Sequence, residues 1–128
     1  MLGVDILTIS GEQSSKALLK KVKPALRVRG SKDFFTFLER LDKDSDEYKA
    51  VDKTLSALKA NVSTGIPIPK KLWPKLYVKK YGINNLYKID IRGGKRLTYT
   101  IAAEEKGCVV RVLDYFRSHK EYEKFFGY

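Results

Sequence analysis

Between Asn85 and Phe116 the chain switches between apolar and polar residues with a period of two, and this constrains its fold more than any other feature. NLYKIDIR, KRLTYTIAA and CVVRVLDYFR each read as an amphipathic strand. In the first, Tyr87, Ile89 and Ile91 alternate with Lys88, Asp90 and Arg92; in the second, Leu97, Tyr99 and Ile101 alternate with Arg96, Thr98 and Thr100. The Gly93-Gly94 turn and the loop from Glu104 to Gly107 are short enough to join the strands as an antiparallel meander. Such a sheet is expected to cover a core with one face and to present the other, cationic, face to water or a ligand. On the third strand Arg111 and Arg117 share one alternation phase.

A sheet with one apolar face needs a second layer, and the preceding residues supply it. Ser31 can cap a helix whose Phe34, Phe37, Leu38 and Leu41 form one stripe. After the turn DKDSD, Asp44 and Glu47 have the form of a capping box, and Tyr48, Val51, Leu55, Leu58 and Val62 align on a second helix. The expected fold is α+β: a two-helix hairpin packed on an antiparallel sheet of three to four strands. A short C-terminal helix follows, started by Ser118, with Tyr122, Phe125 and Phe126 packing back on the sheet. ALRVR at residues 25–29 alternates like a brief strand beside that sheet. Residues 1–24 read as an N-terminal extension, a helix over SSKALLKKVK or an arm, ahead of a domain spanning 25–128.

The balance of 26 Lys and Arg against 15 Asp and Glu gives a net charge of +11, which attracts polyanions: nucleic acid, an acidic protein or an anionic surface. A single cysteine, Cys108, leaves no disulfide framework and no local zinc cluster. No stretch approaches the roughly 20 apolar residues that cross a bilayer, and the first 24 residues lack a signal-like apolar run and cleavage site. The expected location is cytoplasmic.

The segment TGIPIPKKLWPKLYVKKYG, residues 64–82, interleaves lysines with Trp73, Tyr77 and Tyr81 among three prolines. It reads as an extended connection, briefly helical near Leu76 to Lys80. Lys70, Lys71 and Lys75 with Trp73 can form a cationic rim for stacking on RNA bases, with Arg111 adding charge; alternatively, the aromatic rings pin the loop to the core.

The order helix, helix, proline-lysine loop, three strands, C-terminal helix resembles the RelE/ParE toxin superfamily, and its RelE-like branch in particular. The pieces that carry the resemblance are GIPIPKK from Gly65, NLYKIDI from Asn85, GKRLTYTI from Gly94, VLDYF from Val112 and HKEY from His119, covering about residues 25–128. The resemblance implies a ribosome-dependent endoribonuclease of a type II toxin-antitoxin system. It would cut mRNA in the A site, inhibit translation and be neutralised by a cognate acidic antitoxin. It also implies attack of the RNA 2′-OH on the adjacent phosphate, giving a 2′,3′-cyclic phosphate and a 5′-OH without metal or other cofactor.

By the same resemblance Lys88, Arg96, Arg117 and Tyr122 match the family's strand lysine, its strand arginine, and its late basic residue and tyrosine. Arg96 would grip the phosphate, since its fork can hold two oxygens at once. His119 is the sole histidine and the side chain suited to protonate the leaving 5′-oxygen. Two positions depart from the pattern: Ile68 stands where some members carry a glutamate, and Asp90 where the strand has a second lysine. Asp90 either pairs with Arg92 or Arg96 or serves as a proton acceptor. The alternative reading is a binding module that does not cut: a ParE-like topoisomerase inhibitor or a basic RNA-binding protein.

Overall fold

The structure, a computed structural model, describes residues 4–8 and 23–127. The first two described helices start where a serine hydroxyl takes up a free N–H. Ser31 Oγ accepts from Phe34 N at 3.2 Å at the head of α1 (Lys32–Arg40). The same hydroxyl donates to Leu113 O at 3.1 Å, tying α1 to the sheet. α2 (Asp46–Ala60) is capped by Ser45, whose Oγ accepts from Tyr48 N at 3.1 Å. The box expected from Asp44 and Glu47 does not form: Asp42 Oδ1 accepts from Asp44 N at 2.9 Å and closes the turn first. Glu47 is thereby released for contacts elsewhere.

Among the described residues the sheet has six strands, where three to four were expected: β1 (Val4–Thr8), β2 (Arg27–Gly30), β3 (Ile66–Pro67), β4 (Tyr87–Ile91), β5 (Lys95–Glu104) and β6 (Gly107–Phe116). Their order is β1-β2-β6-β5-β4-β3, and the β4-β5-β6 meander is antiparallel as expected. The sheet as a whole is mixed, because β2 runs parallel to β6. Only short hairpins force antiparallel neighbours, and β2 reaches β6 through most of the domain. Residues 4–8 of the N-terminal extension form β1, antiparallel to β2. The helix expected at 14–23 lies almost wholly outside the described residues.

Each face of the sheet is covered. On one, α1 and α2 bring Phe34, Val51, Leu55 and Leu58 against Val28, Leu97, Val110 and Val112. On the other, α3 (Lys75–Tyr81) and α4 (His119–Phe126) bury Tyr77, Tyr81, Tyr122 and Phe126 with Leu113, Phe116 and Ile68. The open cationic face expected of the meander is therefore a second core. Its polar alternates are short hydroxyls with partners close by. Thr98 is 0% exposed and bonds Tyr77 Oη at 2.8 Å, and Thr100 Oγ1 bonds Asn85 O at 2.7 Å.

One residue of β6 decides which arginines share a side. Thr98 pairs with Asp114 but Tyr99 with Val112, so Leu113 is an extra residue in the strand, a β-bulge. Beyond it the alternation inverts. Arg111, before the bulge, sends Nη2 to Tyr81 O at 3.5 Å on the α3 side. Arg117, after it, lies 5.4 Å over the Phe37 ring on the α1 side. The common phase read from the sequence is lost.

Candidate nucleic-acid interface

Where β4 meets β5, on the second face, three of the expected catalytic side chains meet. The register opposes Asp90 to Arg96 and Lys88 to Thr98, so Lys88, Asp90 and Arg96 leave the sheet on one side. α4 places Tyr122 above them. The Arg96 guanidinium carbon lies 4.3 Å from the Tyr122 ring centroid and the Lys88 ammonium 5.8 Å from it. Two cations thus share one aromatic ring, whose electron-rich face partly offsets their mutual repulsion. Stacking of Phe126 on Tyr122, with centroids 4.3 Å apart, and the edge contact of Phe116 at 5.4 Å fix that ring.

Asp90 is the acid of this cluster. Its Oδ1 accepts from Arg96 Nε at 2.6 Å, the pairing foreseen as one of its two roles. The carboxylate is well exposed and the arginine nearly buried, with side-chain exposures of 59% and 11%. Among the described residues the Nη groups of Arg96 make no hydrogen bond, so they keep donors for an oxyanion. His119 stands at the same end of the sheet: a Cβ built on Gly94 would lie 3.5 Å from its Cδ2. It opens α4, three residues before Tyr122, with Ser118 Oγ accepting from Glu121 N at 3.1 Å as the cap.

Arg117 does not join them. Its Nε and Nη2 reach the two carboxylate oxygens of Glu47 at 3.1 and 3.0 Å, a bidentate pair on the hairpin side. Burial works against ionising Glu47, but the Tyr115 hydroxyl, donating at 2.8 Å, and Arg117 outweigh it and hold the carboxyl below its usual range. The same carboxylate raises the pKa of Arg117. With this edge of its guanidinium committed to Glu47 on the hairpin side, Arg117 is not part of the Lys88 and Arg96 cluster.

The rim expected from residues 64–82 divides. Lys70, Lys71 and Lys75 are exposed. Trp73 is half-buried and donates Nε1–H to Ile68 O at 2.7 Å, so it pins the loop in place of offering a free ring. Ile68 is itself core. Arg111 stands opposite Thr100, four residues along β5 from Arg96, roughly 13 Å at the rise of a strand. Tyr77 lies between them, its hydroxyl 2.7 Å from Asp114 Oδ2 and 2.8 Å from Thr98 Oγ1.

That Tyr77 bridge was invisible in the sequence, although the i, i+4 spacing of Tyr77 and Tyr81 after Pro74 is a helical signal. It anchors α3 and roofs the centre of the sheet. Burial pushes the Tyr77 hydroxyl pKa up, and burial also raises that of Asp114 against the pull of the hydrogen bond from Tyr77. What remains is a set of exposed lysines at 70, 71 and 75 and, on the sheet, Lys88 and Arg96 over the Tyr122 ring, with Asp90 on Arg96. Tyr122 is only 1% exposed, so it braces the two cations and is not a free ring for stacking on a base. The cations can hold a phosphate.

Among the described residues no group of three or more His, Cys, Asp or Glu side chains is placed to hold a metal ion, and no helix is long and apolar enough to cross a membrane. Comparison with protein families, with curated proteins and with solved structures gives no match.

Proposed function

We propose that this chain is a RelE-like toxin that binds mRNA at the ribosomal A site and cleaves it by attack of a 2′-OH on the adjacent phosphate. The single observation that supports the reading is the meeting of Lys88 and Arg96 over one tyrosine ring, with His119 at the same end of the sheet. In this reading Arg96 stabilises the charge of the phosphorane through its Nη donors, and Lys88 adds charge and eases loss of the 2′-OH proton. His119 gives the departing 5′-oxygen its proton. Lys70, Lys71 and Lys75 draw in the RNA backbone from the side.

An acidic antitoxin fits the same account. Leu72, Leu76 and Val78 are exposed among Lys70, Lys71, Lys75, Lys79 and Lys80, a surface suited to the apolar face and acidic flanks of a partner segment.

The test is cleavage of mRNA by the purified protein on programmed ribosomes, with mapping of 2′,3′-cyclic ends. Arg96→Ala should lower the rate by about 10²- to 10³-fold, the usual loss on removing one donor to a developing anion. Absence of an A-site cut, or an Arg96→Ala protein that cuts as well as wild type, refutes the enzyme. Two observations favour a second reading, binding without cleavage: Ile68 is buried where an acid would work, and Glu47 holds Arg117 away. A gyrase supercoiling assay run beside the ribosome assay separates a ParE-like inhibitor from an RNA binder.

A further inference from the structure

An anion already sits on the arginine that the proposed function reserves for phosphate. We infer that Asp90 is an internal gate at this site: its carboxylate occupies one edge of the Arg96 guanidinium and must swing away before an RNA phosphate can be gripped by the whole fork. The inference rests on the RNA-binding reading above and adds a regulatory residue to it.

The geometry has the features a displaceable gate needs. Asp90 holds Arg96 through a single contact, Oδ1 to Nε at 2.6 Å, whereas Glu47 clasps Arg117 through both oxygens. Arg96 is fixed and nearly buried against Tyr122, while Asp90 is mostly in water, so the acid is the partner that can move, and the incoming phosphate offsets the cost of uncovering the guanidinium. The released carboxylate also has a place to go. Asp90 lines a groove of about 670 Å3 between α2 and the end of β4, whose other charged walls are Lys49, Lys53, Arg92 and one acid, Asp46. The carboxylate, already mostly in water, can turn out toward this edge when a phosphate takes its place on Arg96.

With Asp90 on Arg96, an incoming phosphate meets a like charge and a partly occupied donor set. With Asp90 turned away into water, it meets Lys88 and the whole edge of the guanidinium. The gate therefore lowers affinity for free RNA and favours ligands held close enough to compete.

Binding of a short fluorescein-labelled single-stranded RNA, 2′-O-methylated so that it is not cut, tests this by anisotropy. Asp90→Asn is expected to tighten binding about fivefold at low salt, the upper range for a pair whose carboxylate is open to water. The gain should shrink as added salt screens the charges. Asp90→Ala is the second variant, because an asparagine amide oxygen can still accept from Nε; both sit at an exposed position, and thermal melts verify that they fold. Loss of the gain in the Asp90→Asn, Arg96→Ala double variant supports the gate. Asp90 variants that bind no tighter than wild type, while Arg96→Ala still weakens binding, overturn the gate and leave the RNA site intact. Affinity indifferent to Arg96 as well as to Asp90 removes the site and the gate together.

Discussion

The two faces of the sheet are both buried, but they are built from different materials. Under α1 and α2 aliphatic contacts of Val51, Leu55 and Leu58 with Val28, Leu97, Val110 and Val112 outnumber the rings of Phe34 and Tyr99, and the ionic pair of Glu47 and Arg117 stays at the margin. Under α3 and α4 aromatic rings predominate over Ile68, Ile83, Leu86 and Leu113, and a hydrogen-bonded chain of Thr98, Tyr77 and Asp114 runs through the middle. A mainly aliphatic face tolerates few openings, because every uncovered methyl returns to water. A face that already satisfies hydroxyls and a carboxylate internally can leave its edge open to a charged ligand. The difference assigns stability to the first face and binding to the second.

Truncation of the aliphatic face should have the largest effect. Leu55→Ala is expected to cost about 2–5 kcal/mol in urea unfolding, the range for a buried leucine, while RNA affinity of the folded fraction is unchanged. A larger change in affinity than in stability would break the division. On the other face Tyr77→Phe leaves Asp114 without its donor, and about 1–3 kcal/mol should be lost. Hydrogen exchange should then rise first in α3, since that hydroxyl fastens it.

Gly65→Ala should cost a similar or smaller amount, about 1–3 kcal/mol from overpacking. A Cβ there would come within 2.7 Å of Lys88 O and 2.6 Å of Tyr99 Oη, so β3 would be pushed off β4. Weakened RNA binding in this variant would show that β3 holds Lys88 in place.

The pH dependence should be smallest in size and opposite in sign on the two faces. Glu47 has a lowered pKa in the fold, so its contribution is complete above the ordinary carboxylate pKa and fades as pH falls through the lowered one. Asp114 has a raised pKa, chiefly from burial, so stability is lost as pH rises from its ordinary value through the raised one. Urea titrations of Glu47→Gln and Asp114→Asn from acid to neutral pH should show the two differences from wild type trending in opposite directions. Parallel trends would mean that the two carboxylates share one environment.

The β4-β5-β6 meander, the helical stretches of α1 and α2 and two serine caps, at Ser31 and Ser118, were legible because each rests on local chemistry: a period of two, a period of 3.6, or a hydroxyl beside a free N–H. The convergence of Lys88 and Arg96 was legible for the same reason, as their strands join through a short glycine turn. Arg117 was misplaced because one extra residue, Leu113, inverts the alternation, and Leu-Asp carries no glycine or proline to mark a bulge. The role of Glu47 was misassigned because a capping box and a long-range ion pair look alike when only the neighbours in sequence are known.

Taken alone, the sequence determined the helices started by Ser31 and Ser118, the last three strands and how they pair, and that the chain carries excess positive charge, since all of these depend on near neighbours or on sums. Only the tertiary structure decided that β2 lies parallel to β6, that the polar face is roofed by α3 and α4, and which cations remain available. Those outcomes depend on contacts between residues far apart in the chain: Tyr77 with Asp114, Glu47 with Arg117 and Tyr122 with Arg96. No periodicity encodes such pairs, because their energy exists only once the layers have met.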